Sequence, residues 1–342
     1  MFKTSDSEVI AQLLSQSISL CKNWIDAIMH FMNIAEAAYS LLILCDNTIY
    51  AFKDRYGFRP LCIGEVRKNN DKNVVESVCI SSESCALQTI GATYIRELGN
   101  GEIIKIDAKG YESCLHYKEK IPPTFCSFEH VYFSRPDSYI QDKLVHTTRQ
   151  MLGKQLAIEA PCPNADIVMG IPDSSTPAAM GYAIQSNIPY QEGLCKNRYI
   201  GRTFIQPENN MRNRGIALKY NVMKDIVKGK IIALIDDSIV RGNTLNQLVS
   251  LIRIAKPKAI HVRISSPPVR NPCHMGIDIS SREELIADKK SIEDIKKHIN
   301  ADSLAYLSME GMIKVLCNEK KEKTNGLCTA CFDGKYPAEI DW

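Results

Sequence analysis

Apolar residues recur along the chain with two different rhythms, and the change of rhythm divides it in two. Over residues 7–14 and 22–32 they return every three or four positions, which predicts two amphipathic helices. Short apolar runs follow at 39–44, 48–51, 78–81 and 102–106, separated by turn sequences such as Asp54-Arg55-Tyr56-Gly57 and Gly99-Asn100-Gly101. That pattern predicts sheets joined by hairpins up to about residue 120. From about residue 125 strands and helices alternate. Residues 166–171 predict a strand, 177–185 a helix, 189–194 a short strand, 230–235 a strand, 245–255 a helix and 259–264 a strand. Strand, crossover helix, strand is the pattern of an α/β domain on a parallel sheet, whose ligands sit at the carboxyl ends of the strands.

Composition narrows the class. The chain has 342 residues, 45% of them hydrophobic, long enough for two domains each with its own core. Charged residues make up 24% and the net charge is +3, with basic residues scattered, so no nucleic-acid surface or acidic tail is expected. Lys320-Lys321-Glu322-Lys323 reads as a solvated loop. The first ten residues lack the basic start and apolar run of a secretory signal, and the longest apolar stretch, 37–45, is too short to span a bilayer. A soluble cytoplasmic protein without a membrane partner is expected. Its thirteen cysteines are then expected to be reduced, with Cys45, Cys62 and Cys79 acting as small hydrophobes in the core. Only Cys328-Thr329-Ala330-Cys331 has a spacing that invites chemistry, and on spacing alone zinc, redox or no role are all open.

The strand at 230–235 is an almost unbroken apolar run, as burial on both faces requires, and it leads into Asp236-Asp237-Ser238-Ile239-Val240-Arg241-Gly242-Asn243-Thr244. Helical spacing of Leu245, Leu248, Val249, Ile252 and Ala255 follows. Gly242 allows a tight turn close to a ligand. Backbone N–H groups of the loop and the helix start make a concave anion site. Asn243 or Thr244 is expected to cap the helix or to donate to a phosphate oxygen. Two adjacent carboxylates at a strand end suit sugar hydroxyls or a hydrated magnesium ion, although a bare Asp-Asp is as often a pair of solvated caps.

The whole run, 236–244, resembles the phosphoribosyl diphosphate signature of the type I phosphoribosyltransferases. In wording it is most similar to the glutamine phosphoribosylpyrophosphate amidotransferase family. The similarity extends over nearly the whole chain, through Gly57-Phe58-Arg59-Pro60-Leu61, Ser81-Ser82-Glu83-Ser84-Cys85, Phe133-Ser134-Arg135-Pro136-Asp137-Ser138, residues 196–204 and Gly334-Lys335-Tyr336-Pro337. The resemblance implies a C-terminal phosphoribosyltransferase domain over residues 121–342, with a parallel sheet, flanking helices and a C-terminal iron–sulfur segment. It implies that residues 1–120 are the C-terminal part of an α+β, N-terminal-nucleophile (class II) glutaminase domain.

The implied activity is that of a pentosyltransferase in the first committed step of purine synthesis. Ammonia drawn from glutamine displaces diphosphate from C1 of phosphoribosyl diphosphate, giving 5-phosphoribosylamine. Carbon–oxygen cleavage leads bond making, so positioning and electrostatics suffice without a protein nucleophile. Asp173, Ser174 and Ser175, in Gly170-Ile171-Pro172-Asp173-Ser174-Ser175-Thr176, resemble the family's diphosphate loop; without that likeness Pro-Asp-Ser-Ser is more often an ordinary helix start. Ser174, Asp236 and Asp237 are the implied magnesium ligands. Lys196, Arg198 and Arg202 would neutralise leaving-group charge on a closing loop, with Tyr199 excluding water.

The family's glutaminase uses an N-terminal cysteine with its own α-amino group as base. This sequence begins Met1-Phe2-Lys3, and the similarity starts near Thr4-Ser5-Asp6-Ser7-Glu8, where Asp6 matches a residue that holds the amino group of glutamine. The nucleophile and the Asn-Gly oxyanion segment have no counterpart. A partial glutaminase domain is therefore expected, and the polypeptide made alone is expected to lack glutaminase activity and to aggregate through exposed sheet edges. One branch of the family carries a four-iron, four-sulfur cluster on four cysteines, and Cys126, Cys273, Cys328 and Cys331 stand at the matching positions, with a structural role implied. A homotetramer inhibited by purine nucleotides is also implied. The other readings are a non-catalytic phosphoribosyl-diphosphate-binding regulator, for which no helix-turn-helix or basic face is visible, and an iron–sulfur redox protein supported by the cysteines alone.

Overall fold

The structure is a computed structural model that describes residues 5–68, 71–115, 123–197, 199, 219–279, 281–317 and 326–338. These form two units: Met1–Cys126 with Asn325–Cys328 and Tyr336–Trp342, and Ser127–Thr324 with Thr329–Lys335.

In the first unit Ser5 accepts a hydrogen bond from the Glu8 N–H and starts helix α1 (Asp6–Leu20). Asn23 does the same for Asp26 at the head of α2 (Trp24–Ile34). α1 runs beyond the 7–14 stretch at both ends, whereas α2 is shifted two residues later than 22–32, its start set by the Asn23 cap. Leu14, Ile28, Phe31 and Met32 pack on Tyr39, Tyr50, Phe52 and Ile103 of a sheet. That sheet is antiparallel, in the order β1 (Ser40–Cys45), β2 (Thr48–Lys53), β6 (Glu102–Asp107), β7 (Gly110–Leu115). A second sheet has β3 (Cys62–Lys68) between β4 (Asp71–Ser81) and β5 (Thr93–Glu97). Asp54, at the end of β2, ties the turn that follows. Its carboxylate accepts from the N–H groups of Tyr56 at 2.9 Å, Gly57 at 2.7 Å and Tyr39 at 3.1 Å.

The second unit is built on a parallel sheet in the order β8 (Ile167–Gly170), β11 (Ile231–Asp236), β12 (Ala259–Ile264), β13 (Ser303–Tyr306). Between β8 and β11 in sequence comes an antiparallel pair, β9 (Leu194–Lys196) and β10 (Tyr220–Val222). The 189–194 stretch is therefore not one strand: it supplies a single bridge at Tyr190 to Val168, and regular pairing begins at Leu194. Ile232, Leu234, Ile260 and Val262 of the sheet meet Leu245, Leu248, Val249 and Ile252 of α6 (Asn243–Ile254) in the core. Nearly all of β11 is buried, as its apolar run predicts.

Helices α4 (Val145–Glu159) and α5 (Thr176–Ser186) pack closely through two glycines. A Cβ on Gly153 would lie 1.8 Å from the carbonyl oxygen of Ala178, and one on Gly181 would lie 1.9 Å from that of Gln150. These are backbone atoms, so neither contact is relieved by a rotamer change. Cys21, Cys45, Cys62, Cys79, Cys85, Cys114, Cys162, Cys195, Cys273 and Cys317 are free thiols. Of the three assigned to the core, Cys62 is buried, whereas Cys45 and Cys79 are partly covered and pack at the margin of core clusters. Burial pushes the Cys62 thiol up to about 12, which leaves it inert at neutral pH. No helix among the described residues is long and apolar enough to cross a membrane.

Gly153→Ala is expected to force α4 away from α5 and to destabilise the second unit by about 3 kcal/mol. Thermal unfolding of the variant beside the surface control Lys154→Ala checks this, and equal melting of the two would contradict the packing described.

Candidate phosphoribosyl diphosphate site

Strands β8 and β11 run in parallel with Gly170 opposite Ile235, so their carboxyl ends emerge together. The pairing continues one residue further, with the Ile171 N–H on the Ile235 carbonyl at 3.0 Å. Two loops therefore leave the sheet side by side, residues 171–175 and 236–242. A side-chain bond joins them: Ser174 Oγ donates to Asp237 Oδ2 at 2.5 Å. Ser238 Oγ donates to Asp237 Oδ1 at 2.8 Å, and the Asp237 N–H donates to Asp236 Oδ1 at 3.0 Å. Asp237 is buried and Asp236 is partly covered.

Withdrawal from water pushes the Asp236 carboxyl well above the usual carboxylate range, and the neighbouring Asp237 charge adds to it. Burial also raises Asp237, opposed by the bonds from Ser174 and Ser238 and by the charge of Arg149. Arg149 lies buried on α4, donating from Nε to the His130 carbonyl at 2.8 Å and from Nη2 to the Ser134 carbonyl at 2.7 Å. Its position in sequence carries no signal, since an arginine on a helix ordinarily reads as a solvated charge.

The second loop ends at Gly242, whose φ of +77° is the left-handed conformation that glycine adopts freely. Helix α6 begins immediately after it, without a side-chain cap. The expectation that Asn243 or Thr244 caps this helix is therefore not met: both are exposed, and Asn243 already belongs to the helix. An uncapped helix start presents N–H groups to an anion. The loop is supported from behind. The Val240 carbonyl accepts from the Ile286 N–H at 3.0 Å, Arg241 pairs with Glu284 at 2.5 Å, and Ile239 is buried.

On the diphosphate-like loop the Pro172–Asp173 peptide is cis. Ser175 is fully buried and donates to the Ile171 carbonyl, so its hydroxyl shapes the loop from inside. Asp173 is exposed and paired with Lys196 of β9. Tyr220 donates its hydroxyl to the Pro172 carbonyl at 3.2 Å. Beside this loop opens a cleft of about 820 Å³, lined among others by Asp173, Thr176, Glu192, Lys196, Asn197 and Lys219. Tyr199 is 99% exposed. Arg198, Arg202 and the rest of the 200–204 stretch lie outside the described residues. Tyr220 and Lys219, missed in the sequence, follow a stretch with no regular pattern and gave no signal.

The other candidates lie elsewhere. Asp6 is exposed in the first turn of α1. Cys126 and Cys328 are register partners in a two-residue parallel ladder, Phe125–Cys126 with Leu327–Cys328, and both are buried. Cys331 is buried, and its carbonyl accepts the N–H groups of Arg270 at 2.9 Å and Asn271 at 3.0 Å. Cys273 accepts the Met275 N–H on its sulfur at 3.3 Å, the kind of bond that steadies a thiolate ligand. Among the described residues, no three His, Cys, Asp or Glu side chains gather closely enough for a single metal ion.

Two strand-end loops on neighbouring parallel strands, one with a buried acidic pair and a left-handed glycine opening a helix, define a phosphoribosyltransferase site. The profile of the phosphoribosyl transferase domain matches residues 162–267, which include both loops. The rat amidophosphoribosyltransferase is 44% identical over 374 residues, covering 99% of this chain and 72% of the rat protein. That of Bacillus subtilis is 42% identical, covering 99% of this chain and 69% of the relative. The solved B. subtilis glutamine phosphoribosylpyrophosphate amidotransferase complexed with ADP and GMP superimposes with a TM-score of 0.89, covering all of this chain and 72% of that one. The chain belongs to the amidophosphoribosyltransferase family.

An acid whose pKa is raised on folding binds its proton more tightly in the folded state. Stability therefore falls as pH rises from the ordinary carboxylate range through the raised value, and the penalty persists at neutral pH. Asp236→Asn keeps the acceptor for the Asp237 N–H and removes the charge. The ligand-free variant is expected to melt higher than the parent at pH 7, by roughly 2–4 °C for each kcal/mol recovered, with the gain shrinking toward pH 4. Differential scanning calorimetry across that range checks both the sign and the pH trend.

Proposed function

We propose that this chain catalyses amine transfer to phosphoribosyl diphosphate, with ammonia displacing diphosphate from C1 to give 5-phosphoribosylamine in the first committed step of purine synthesis. The observation that carries the reading is the Ser174–Asp237 bond joining two strand-end loops in a chain of this family. In this reading N–H groups of 239–244 hold the ribose 5-phosphate at the head of α6, and Asp236 and Asp237 hold the ribose hydroxyls. The loop 173–175 and Lys196 receive the diphosphate, so that charge leaving C1 is met by fixed donors. Arg149 balances part of the acidic pair's charge from behind. Tyr199, Arg198 and Arg202 are assigned to shielding and leaving-group charge by resemblance.

Ser174, Asp236 and Asp237 suit magnesium, because two carboxylates raised by burial and by each other are the donors that a divalent cation relieves. When bound, magnesium offsets charge on the departing diphosphate. Purine nucleotides are assigned as ligands at or near the same site, since the B. subtilis relative was solved with ADP and GMP. We assign Asp6 to the amino group of glutamine, the first 120 residues to the glutaminase side and the assembly to a homotetramer, all by resemblance.

Cys126, Cys273, Cys328 and Cys331 are proposed as ligands of a four-iron, four-sulfur cluster. Support comes from the register pairing of Cys126 with Cys328 and from the N–H bond to the Cys273 sulfur. Protein purified without oxygen is expected to contain about four irons per chain and visible sulfur-to-iron absorbance, both lost in Cys328→Ser. Iron-free protein of normal fold would sink this assignment.

The transferase reading is tested with phosphoribosyl diphosphate, magnesium and ammonium salt at alkaline pH. Diphosphate release in step with amine addition is expected, falling about a hundredfold or more in the Asp236→Asn, Asp237→Asn double variant. Binding without release would instead identify a non-catalytic regulator.

A further inference from the structure

The cleft beside the diphosphate-like loop contains an ion pair between two residues of the segments assigned above to the diphosphate. Lys196, on β9, contacts Asp173, on the 171–175 loop, and both line the same cleft of about 820 Å³. The pair contributes little to stability. Asp173 is 74% exposed and Lys196 32%, and solvated pairs of this kind are weak. Nothing in the fold requires an acid at the loop tip, because the loop is shaped by other bonds. Ser175 reaches the Ile171 carbonyl, the Thr176 N–H reaches the Asp173 carbonyl at 3.4 Å, and Tyr220 holds the Pro172 carbonyl. The Asp173 carboxylate instead stands where an anion is to be received, and it occupies a cation that the anion needs.

We infer that Asp173 is an internal competitor for Lys196, a specificity-determining carboxylate that sets how tightly the cleft holds diphosphate. In the empty cleft Asp173 satisfies Lys196. An arriving diphosphate takes Lys196 over and leaves Asp173 to the solvent, where its charge opposes the ligand's. When the product diphosphate leaves, Asp173 re-forms the pair. The same carboxylate therefore weakens retention of product while leaving the cation in place for the substrate. Glu192 lies on the cleft wall with the same sign of charge, and Lys219 with the opposite sign.

The inference rests on the reading of this cleft as a diphosphate site, and the test separates the two. Inorganic diphosphate with magnesium is titrated calorimetrically into the full chain, Asp173→Asn, Lys196→Met and the double variant, each checked for parental circular dichroism. Asp173→Asn is expected to bind about fivefold tighter than the parent. Lys196→Met is expected to bind more weakly, and adding Asp173→Asn to it is expected to recover clearly less than fivefold. Inhibition by diphosphate in the transfer assay should sharpen by the same factor in Asp173→Asn. Equal or weaker binding by Asp173→Asn overturns the inference while leaving the site reading intact. A full fivefold gain in the Lys196→Met background overturns the competition for Lys196. Absence of any diphosphate binding by the parent chain overturns the site reading and this inference with it.

Discussion

Two carboxylates on consecutive residues, both withdrawn from water, make the least favourable local arrangement in the second unit, and its surroundings are organised around it. Burial and mutual repulsion raise both groups. Three features reduce the penalty. Ser174 and Ser238 each donate to one Asp237 oxygen, the backbone supplies an N–H to Asp236, and Arg149 places a cation near Asp237. Ser238 and the Asp237 N–H belong to the acidic loop itself, whereas Ser174 reaches it because the sheet order aligns β8 with β11, and Arg149 acts from α4. A parallel sheet carries all its carboxyl ends on one edge, and in this unit that edge gathers the diphosphate-like loop and the acidic pair.

The phosphate-like loop shows the complementary constraint. A loop that wraps an anion with backbone N–H groups cannot also satisfy them internally. It must then be held by its other atoms. Here the Val240 carbonyl, the Arg241 guanidinium and the Ile239 side chain face away into protein contacts. Gly242 completes the turn in a conformation that disfavours other residues, and a Cβ there would come within 2.7 Å of Ile286. Holding the loop before the ligand arrives is what makes electrostatic stabilisation effective, since donors already in place need no reorganisation.

The parts of this arrangement differ in how far a sequence reveals them. The strand at 259–264 and the helix following Gly242 stand out because burial on both faces, or along one stripe, writes a clean pattern. Helix α4 does not, because it packs against both α5 and Met309–Cys317 and buries Thr148, Arg149 and Gly153 alongside Leu152 and Leu156. Its apolar stripe is interrupted by residues whose partners are backbone atoms. Strand β4 reads as four residues rather than eleven because its first half is exposed and polar. The acidic pair and Gly242 are legible as residues, yet the bonds of Arg149 and Tyr220 and the Asp173–Lys196 pair arise only from folding, being joined across 15 or more positions of sequence.

Three departures from local rules coincide on one loop of the second unit. A buried like-charge pair, a left-handed loop glycine and a helix without a side-chain cap all fall within residues 236–243. An exposed acid facing an anion-binding cleft lies on the adjoining loop, at Asp173. Elsewhere in the unit Ser291 caps the Ile292–His298 helix, with its oxygen on the Asp294 N–H at 3.2 Å, whereas the Val145–Glu159 helix also starts without a side-chain cap. An anion at the helix head and a cation between the acids would satisfy the open N–H groups and the like charges together. That coincidence is independent of any similarity to other sequences, and it assigns the chemistry to the same two loops.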